Sequence, residues 1–162
     1  MRHIIRIEQD GTVFNFRVAG VIRHGGRVLL HKAEGETFWS LPGGRVEMHE
    51  NATLSLQREM LEELGVEVRV ERLLWVAENF FEYLGKQFYE LGFYFLVALP
   101  EDSPLTRHQE PFYGDEEGLV LTFQWFPLEE LEKLNILPSF LSTGLAALPE
   151  TTQHIVHYHG EV

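Results

Sequence analysis

The sequence predicts an α+β fold, and three observations carry that expectation. Short runs of alternating apolar residues recur from end to end, each bounded by Gly-containing turns. One stretch, 51–64, has helical rather than strand spacing and stands between Asn51 and Gly65. Two further helical segments are interleaved with strands towards the C-terminus. With 162 residues and 44% hydrophobic content, the chain suits one domain, 1–162, with a sizeable core.

In chain order, 4–8 and 12–23 read as strands parted by an Asp10–Gly11 turn. Val18, Gly20 and Ile22 alternate with Ala19 and Val21, which predicts burial on both faces. His24-Gly25-Gly26 turns the chain into a strand at 27–32. Pro42-Gly43-Gly44 reads as a tight turn with two permissive residues. After the helix, 66–83 and 86–99 read as long strands joined at Gly85–Lys86. Their aromatics are expected to fill the core for the most part, with one or two left to stack on a flat ligand. Glu78 and Glu90 interrupt these strands, and Glu90 faces either a pocket or solvent. A polar loop is expected at 100–118, then a strand at 119–126, helices at 127–134 and 138–148, and a last strand at 153–159.

Composition excludes several classes of function. Thirteen basic and 25 acidic residues leave a net charge of −12 with His neutral, a surface that repels nucleic-acid polymers. There is no Cys, which rules out disulfides, thiol nucleophiles and thiolate metal sites and fits a reducing, cytoplasmic setting. The first residues lack the apolar core of a signal peptide, and no run of about 18 apolar residues predicts a membrane span.

The informative stretch is 44–66, GRVEMHENATLSLQREMLEELGV. Asn51 suits an N-cap and Gly65 the left-handed position that ends a helix. At about 100° per residue, Glu59, Glu62 and Glu63 share an arc of roughly 100°. Leu54, Leu56, Met60, Leu61 and Leu64 are expected opposite, facing a core. Like charges at these spacings repel by about 0.2–0.5 kcal/mol per pair unless something positive lies between them. A hard cation such as Mg²⁺, which takes oxygen ligands and substrate phosphates, answers that need. A solvated acidic face is the alternative for a generic helix of this kind.

The full spacing is more specific. Gly44, five residues, Glu50, seven residues, Arg58-Glu59, an apolar residue, one more, Glu62-Glu63, one more, then Gly65 and an apolar residue: this resembles the signature of the Nudix hydrolases at every fixed position. Seven fixed identities make a chance match rarer than about one in a million. The preceding Trp39-Ser40-Leu41-Pro42-Gly43-Gly44 is similar to the family's W-x-L-P-G-G segment, while His49 stands where relatives often have Gly.

The resemblance implies an α/β/α sandwich, a mixed curved sheet between helices, and hydrolysis of a nucleoside diphosphate linked to another group. It implies Mg²⁺ (or Mn²⁺) held by Glu59, Glu62, Glu63 and the backbone carbonyl of Gly43, with Arg58 and Glu50 orienting the cluster. The general base stays open among Glu62, Glu63, Glu90 and the acids at 115–117. Arg45, Tyr83 and Glu90 are candidate substrate contacts. Phe81 stands where ADP-ribose-type relatives carry a Pro; Tyr83 is similar to a Tyr of dinucleoside-polyphosphate relatives, and Trp39 to one in triphosphate-cleaning members. The expected partner is a small nucleotide derivative, with a homodimer possible. The competing reading is a non-catalytic nucleotide-sensing module on the same fold.

Overall fold

A computed structural model describes residues 2–161. Among the described residues, nine strands form one mixed sheet: β1 (Arg6–Gln9), β2 (Thr12–His24), β3 (Arg27–Ala33), β4 (Gly43–Arg45), β5 (Arg69–Tyr83), β6 (Lys86–Ala98), β7 (Phe112–Glu116), β8 (Leu119–Pro127) and β9 (Gln153–Glu161). The helices are α1 (Ala52–Leu64) and the single turn α2 (Leu141–Gly144). Along the sheet the order is β7-β8-β3-β2-β6-β5-β9, with β1 and β4 also on β2. The β2–β6 and β5–β9 pairs are parallel and the other pairs antiparallel.

The double-sided burial expected of β2 sets the layers. Val18 and Ile22 join Leu56 and Met60 of α1 in one apolar cluster. Ala19 and Val21 face the other way, onto Trp75, Leu131, Leu141 and Leu145. The sheet is thus sandwiched between α1 and the C-terminal helical turns. Gly20 is where α1 comes closest, since a Cβ there would meet Met60 Cε at 2.6 Å.

One edge of β2 is shared in succession by β1, β4 and, at its last two residues, β3. Beyond Arg23 and His24, therefore, β2 and β3 do not pair, and a cavity lies between the two parts of the sheet.

Several expectations change. Gly43 and Gly44 lie in a strand, not a tight turn, paired with Ala19 and Val18. The 100–118 segment holds a 3₁₀ turn, Pro104–Arg107, and then β7, which pairs with β8 through a Glu117–Gly118 turn. The 127–134 helix is a 3₁₀ helix, Leu128–Lys133, and the 138–148 helix shrinks to α2. The β5–β6 tip is Leu84–Gly85, with Lys86 already paired to Tyr83. Of the β5–β6 aromatics from Phe80 to Phe95, only Tyr94 and Phe95 are fully buried, because much of this sheet face borders the cavity or solvent.

Candidate active site

The site begins with the capping of α1. Asn51 Oδ1 accepts from Leu54 N at 2.9 Å, and Gly65, at φ 67°, closes the helix onto Leu61 O. The buried face differs from the one expected. Ser55, Leu56, Glu59, Met60 and Glu63 face inwards, whereas Leu54 and Leu61 are about half exposed. Glu59 and Glu63 lie on the wheel next to Leu56 and Met60, not opposite them, so docking the apolar pair carries two carboxylates under the helix.

Space for them comes from the glycines of β4. A Cβ on Gly44 would lie 2.3 Å from Glu59 Cδ, and one on Gly43 2.0 Å from Val18 O. Close approach, not unusual backbone torsion, is what requires glycine here.

Arg58 anchors the cluster. It donates to both oxygens of Glu50, Nε at 2.8 Å and Nη2 at 2.9 Å, and through Nη1 to Glu59 Oε1 at 2.9 Å. These hydrogen bonds hold the Glu50 carboxyl below the usual range. Glu62 points outwards, where it takes hydrogen bonds from Arg2 at 2.7 Å and Arg58 at 3.3 Å.

A third carboxylate comes from Glu116, the last residue of β7. Among the described residues, Glu59, Glu63 and Glu116 form a trio, each offering an oxygen within 4.8 Å of the others. Neither Glu63 oxygen has a partner, although both are buried. Burial, then Glu116 and Glu59, push the Glu63 carboxyl up to about 9. Burial also raises Glu59, opposed by Arg58, and Glu116, opposed by Arg17. Three converging carboxylates, one of them buried with no donor on either oxygen, form an oxygen-only set suited to a hard divalent cation such as Mg²⁺ or Mn²⁺.

Glu116 and Gly43 also line the cavity, whose volume is about 310 Å³. The candidate substrate contacts Arg45, Tyr83 and Glu90 are on its wall, as are Arg17, Asn15, Asn79, His31, Phe81 and Phe88. Arg17 Nη2 donates to Leu41 O at 3.2 Å. Trp39 is not on the wall; its ring packs on Phe126 and lies beneath Lys32. Glu78 is absent from it too, being bonded to Tyr89 and His154.

Sequence reasoning missed Arg17, Asn15, His31 and Asn79, and it named Glu116 only as one of three loop acids. Asn15 and Arg17, two places apart in an apolar strand, share one sheet face and are the signal for that pair; His31 and Asn79 stand singly among apolar residues on their face of β3 and β5.

A profile of the NUDIX domain matches residues 13–143. The chain is 26% identical over 144 residues to an 8-oxo-dGTP diphosphatase of Buchnera aphidicola subsp. Schizaphis graminum, covering 86% of this chain and 88% of that protein. It is 34% identical over 136 residues to an RNA pyrophosphohydrolase of Haemophilus influenzae, covering 77% and 69% respectively. It spans 66% of the length of a similar RNA pyrophosphohydrolase of Actinobacillus pleuropneumoniae. Among solved structures, a UDP-X diphosphatase superposes with a TM-score of 0.60 at 23% identity, over 87% of this chain and 66% of that one. An ADP-ribose pyrophosphatase of Streptococcus suis gives 0.59 at 15% identity, over 88% and 98%. These likenesses establish the fold alone. The domain match spans most of the chain and takes in the whole acidic helix, so the chain belongs to the Nudix hydrolases.

Proposed function

We propose that this protein is a divalent-metal-dependent pyrophosphohydrolase that takes a small nucleoside diphosphate derivative into the cavity beside Glu116 and cuts within its pyrophosphate. The observation that carries this reading is Glu63: a buried carboxylate with two unpartnered oxygens, facing two other carboxylates at the edge of a cavity. An ion bound there would neutralise phosphoanhydride charge and make an adjacent water more acidic.

The chain's own residues do the rest. Glu59, Glu63, Glu116 and the Gly43 carbonyl would hold the ion. Arg58 fixes Glu59 and, through the Glu50 fork, the orientation of its own guanidinium. Arg17 and Arg45, on the cavity wall, offer N–H donors to phosphate oxygens. Glu62, at the outer rim, positions water, and the proton acceptor lies among Glu62, Glu63, Glu90 and Glu116. Phosphoanhydride cleavage by an aimed water needs no protein nucleophile. The net charge of −12 favours a small nucleotide over an RNA end as the ligand.

The test is hydrolysis of a panel of nucleoside diphosphate derivatives with Mg²⁺ or Mn²⁺, by the protein and by Glu63→Gln. Turnover that depends on the ion and vanishes in the variant, with the circular dichroism spectrum unchanged, is the expected result. Full activity in Glu63→Gln overturns the assignment.

A further inference from the structure

Residues 2–5, ahead of β1, form a short arm laid along the loop that joins β4 to α1. Ile5 N donates to Val46 O at 2.8 Å and Met48 N to His3 O at 2.7 Å, with Ile4 and Glu47 paired antiparallel between them. Ile5 also packs on the apolar cluster that holds Leu56 and Met60. The arm is therefore fixed by its backbone and by Ile5, and its path sets Arg2 beside the acidic face of α1.

Arg2 Nη2 donates to Glu62 Oε2 at 2.7 Å, and its Nη1 lies 3.9 Å from Glu59 Oε1. Arg58 Nη1 reaches the same Glu62 oxygen at 3.3 Å. Arg58 also holds Glu50 and Glu59 through three shorter bonds, so Arg2 is not needed to orient those two acids. The Arg2 and Glu62 side chains are 44% and 40% exposed, against 21% for Arg58 and 3% for Glu59. A pair so open to water adds little to fold stability and exchanges readily.

What the contact does change is the charge at the site. Of the three helix acids, Glu62 alone is left out of the trio of Glu59, Glu63 and Glu116. The guanidinium that takes it up also faces Glu59, a member of that trio. The trio has its own need of a cation, since Glu63 is 8% exposed and neither of its oxygens has a donor. The inner acids thus lack a cation from the chain, whereas the outer one has Arg2. A guanidinium stays charged at every working pH, and this one is tethered where it acts.

We propose that Arg2 is a tethered cation that occupies the outer side of the acidic cluster, so that the site takes one divalent ion, on Glu59, Glu63 and Glu116, and Glu62 is withheld as a ligand. This rests on the trio's being the divalent-metal site of the proposed function. Loss of the Arg2 charge opens Glu62 and the adjoining side of Glu59 to a second ion. It also lifts a like charge from beside the first.

The experiment is titration of the nucleotide-free protein with Mn²⁺, the free ion being counted from its electron paramagnetic resonance signal. The wild type is expected to bind one ion per chain. Arg2→Met and Arg2→Gln, which remove the charge in two ways, are expected to bind two, the first about tenfold tighter than in the wild type. Arg2→Lys keeps a charge on the arm and should restore a count of one. Arg2→Met combined with Glu62→Gln should do the same, because the second ion needs the Glu62 carboxylate. A purely structural role for Arg2 would lower the melting temperature of the variants without changing the ion count. An equal count in the wild type and both charge-removing variants, or a second ion that survives Glu62→Gln, overturns the inference and leaves the proposed function standing. A wild-type protein that binds no Mn²⁺ overturns both.

Discussion

Glu116, the last residue of β7, brings a carboxylate oxygen within 4.8 Å of one on Glu63, a helix residue it does not neighbour in sequence. The strand delivers it: Glu116 pairs with Leu119 across a two-residue turn, and β7 passes close beside α1 at Gly114, where a Cβ would lie 3.1 Å from Glu63 O. Its neighbours Asp115 and Glu117 are exposed and take no part in the trio.

The first prediction separates these three acids. Glu116→Gln should weaken Mn²⁺ binding by at least the 10–100-fold typical of losing a supporting group at a metal site. Asp115→Asn and Glu117→Gln should leave it unchanged. The same Glu116→Gln should raise the melting temperature of the metal-free protein, because it removes like charge from Glu63. Equal effects from all three substitutions would show that the loop acts only through its net charge.

The raised Glu63 carboxyl gives a second prediction, for stability against pH. The unfolded group titrates near its ordinary 4.5 and the folded one near 9. Below about 4.5 both states hold the proton and the contribution is complete. As pH rises from there towards 9, the unfolded chain releases its proton and the folded chain does not. Stability therefore falls across that window by up to ~1.4 kcal/mol per pH unit, with Glu59 and Glu116 acting in the same sense. Thermal melts in EDTA should show a melting temperature that declines from pH 5 to pH 9. Saturating Mg²⁺, or Glu63→Gln, should flatten the decline.

These residues also show what the sequence makes legible. Helix α1, both its caps and the Glu50–Arg58–Glu59 relation are local, within one helix and the turn before it, so spacing alone exposes them. Glu116 lies in a polar segment with no apolar alternation, and β7 is a strand only because β8 pairs with it. Asn15, Glu90 and Asn79 come from three strands, and only their register puts them in one row. The outward turn of Leu54 and Leu61 has a related cause. Helical spacing sets the acids on one side and the leucines opposite, whereas the glycines of β4 leave room to bury two of the acids beside Leu56 and Met60.

A third prediction concerns the guanidinium fork. Arg58→Lys keeps the charge and loses the planar arrangement that reaches both Glu50 oxygens and Glu59 at once. Glu59 should then lose its fixed orientation. Mn²⁺ affinity is expected to fall roughly 10–100-fold, with a smaller loss of thermal stability. A lysine variant with wild-type metal affinity would mean that charge alone, without the fork, positions Glu59.

The last prediction contrasts two glycines at opposite ends of the signature. Gly44→Ala puts a methyl group 2.3 Å from the Glu59 carboxyl carbon, and Arg58 holds that carboxylate in place from one side. The helix end must shift or the carboxylate must swing, and a misplacement near 1 Å at a reacting centre can lower turnover on the order of 100-fold. Gly65→Ala meets no atom within 4 Å but is forced into φ 67°, at a cost of about 1–2 kcal/mol. That cost should lower the melting temperature by a few degrees. Turnover at 25 °C should stay near wild type, since residue 65 touches none of the trio. Kinetics and melts on the two variants together check the assignment: Gly44→Ala should be the slower enzyme and Gly65→Ala the active but less stable one. The opposite pattern would place the catalytic demand at the helix C-terminus, not beneath Glu59.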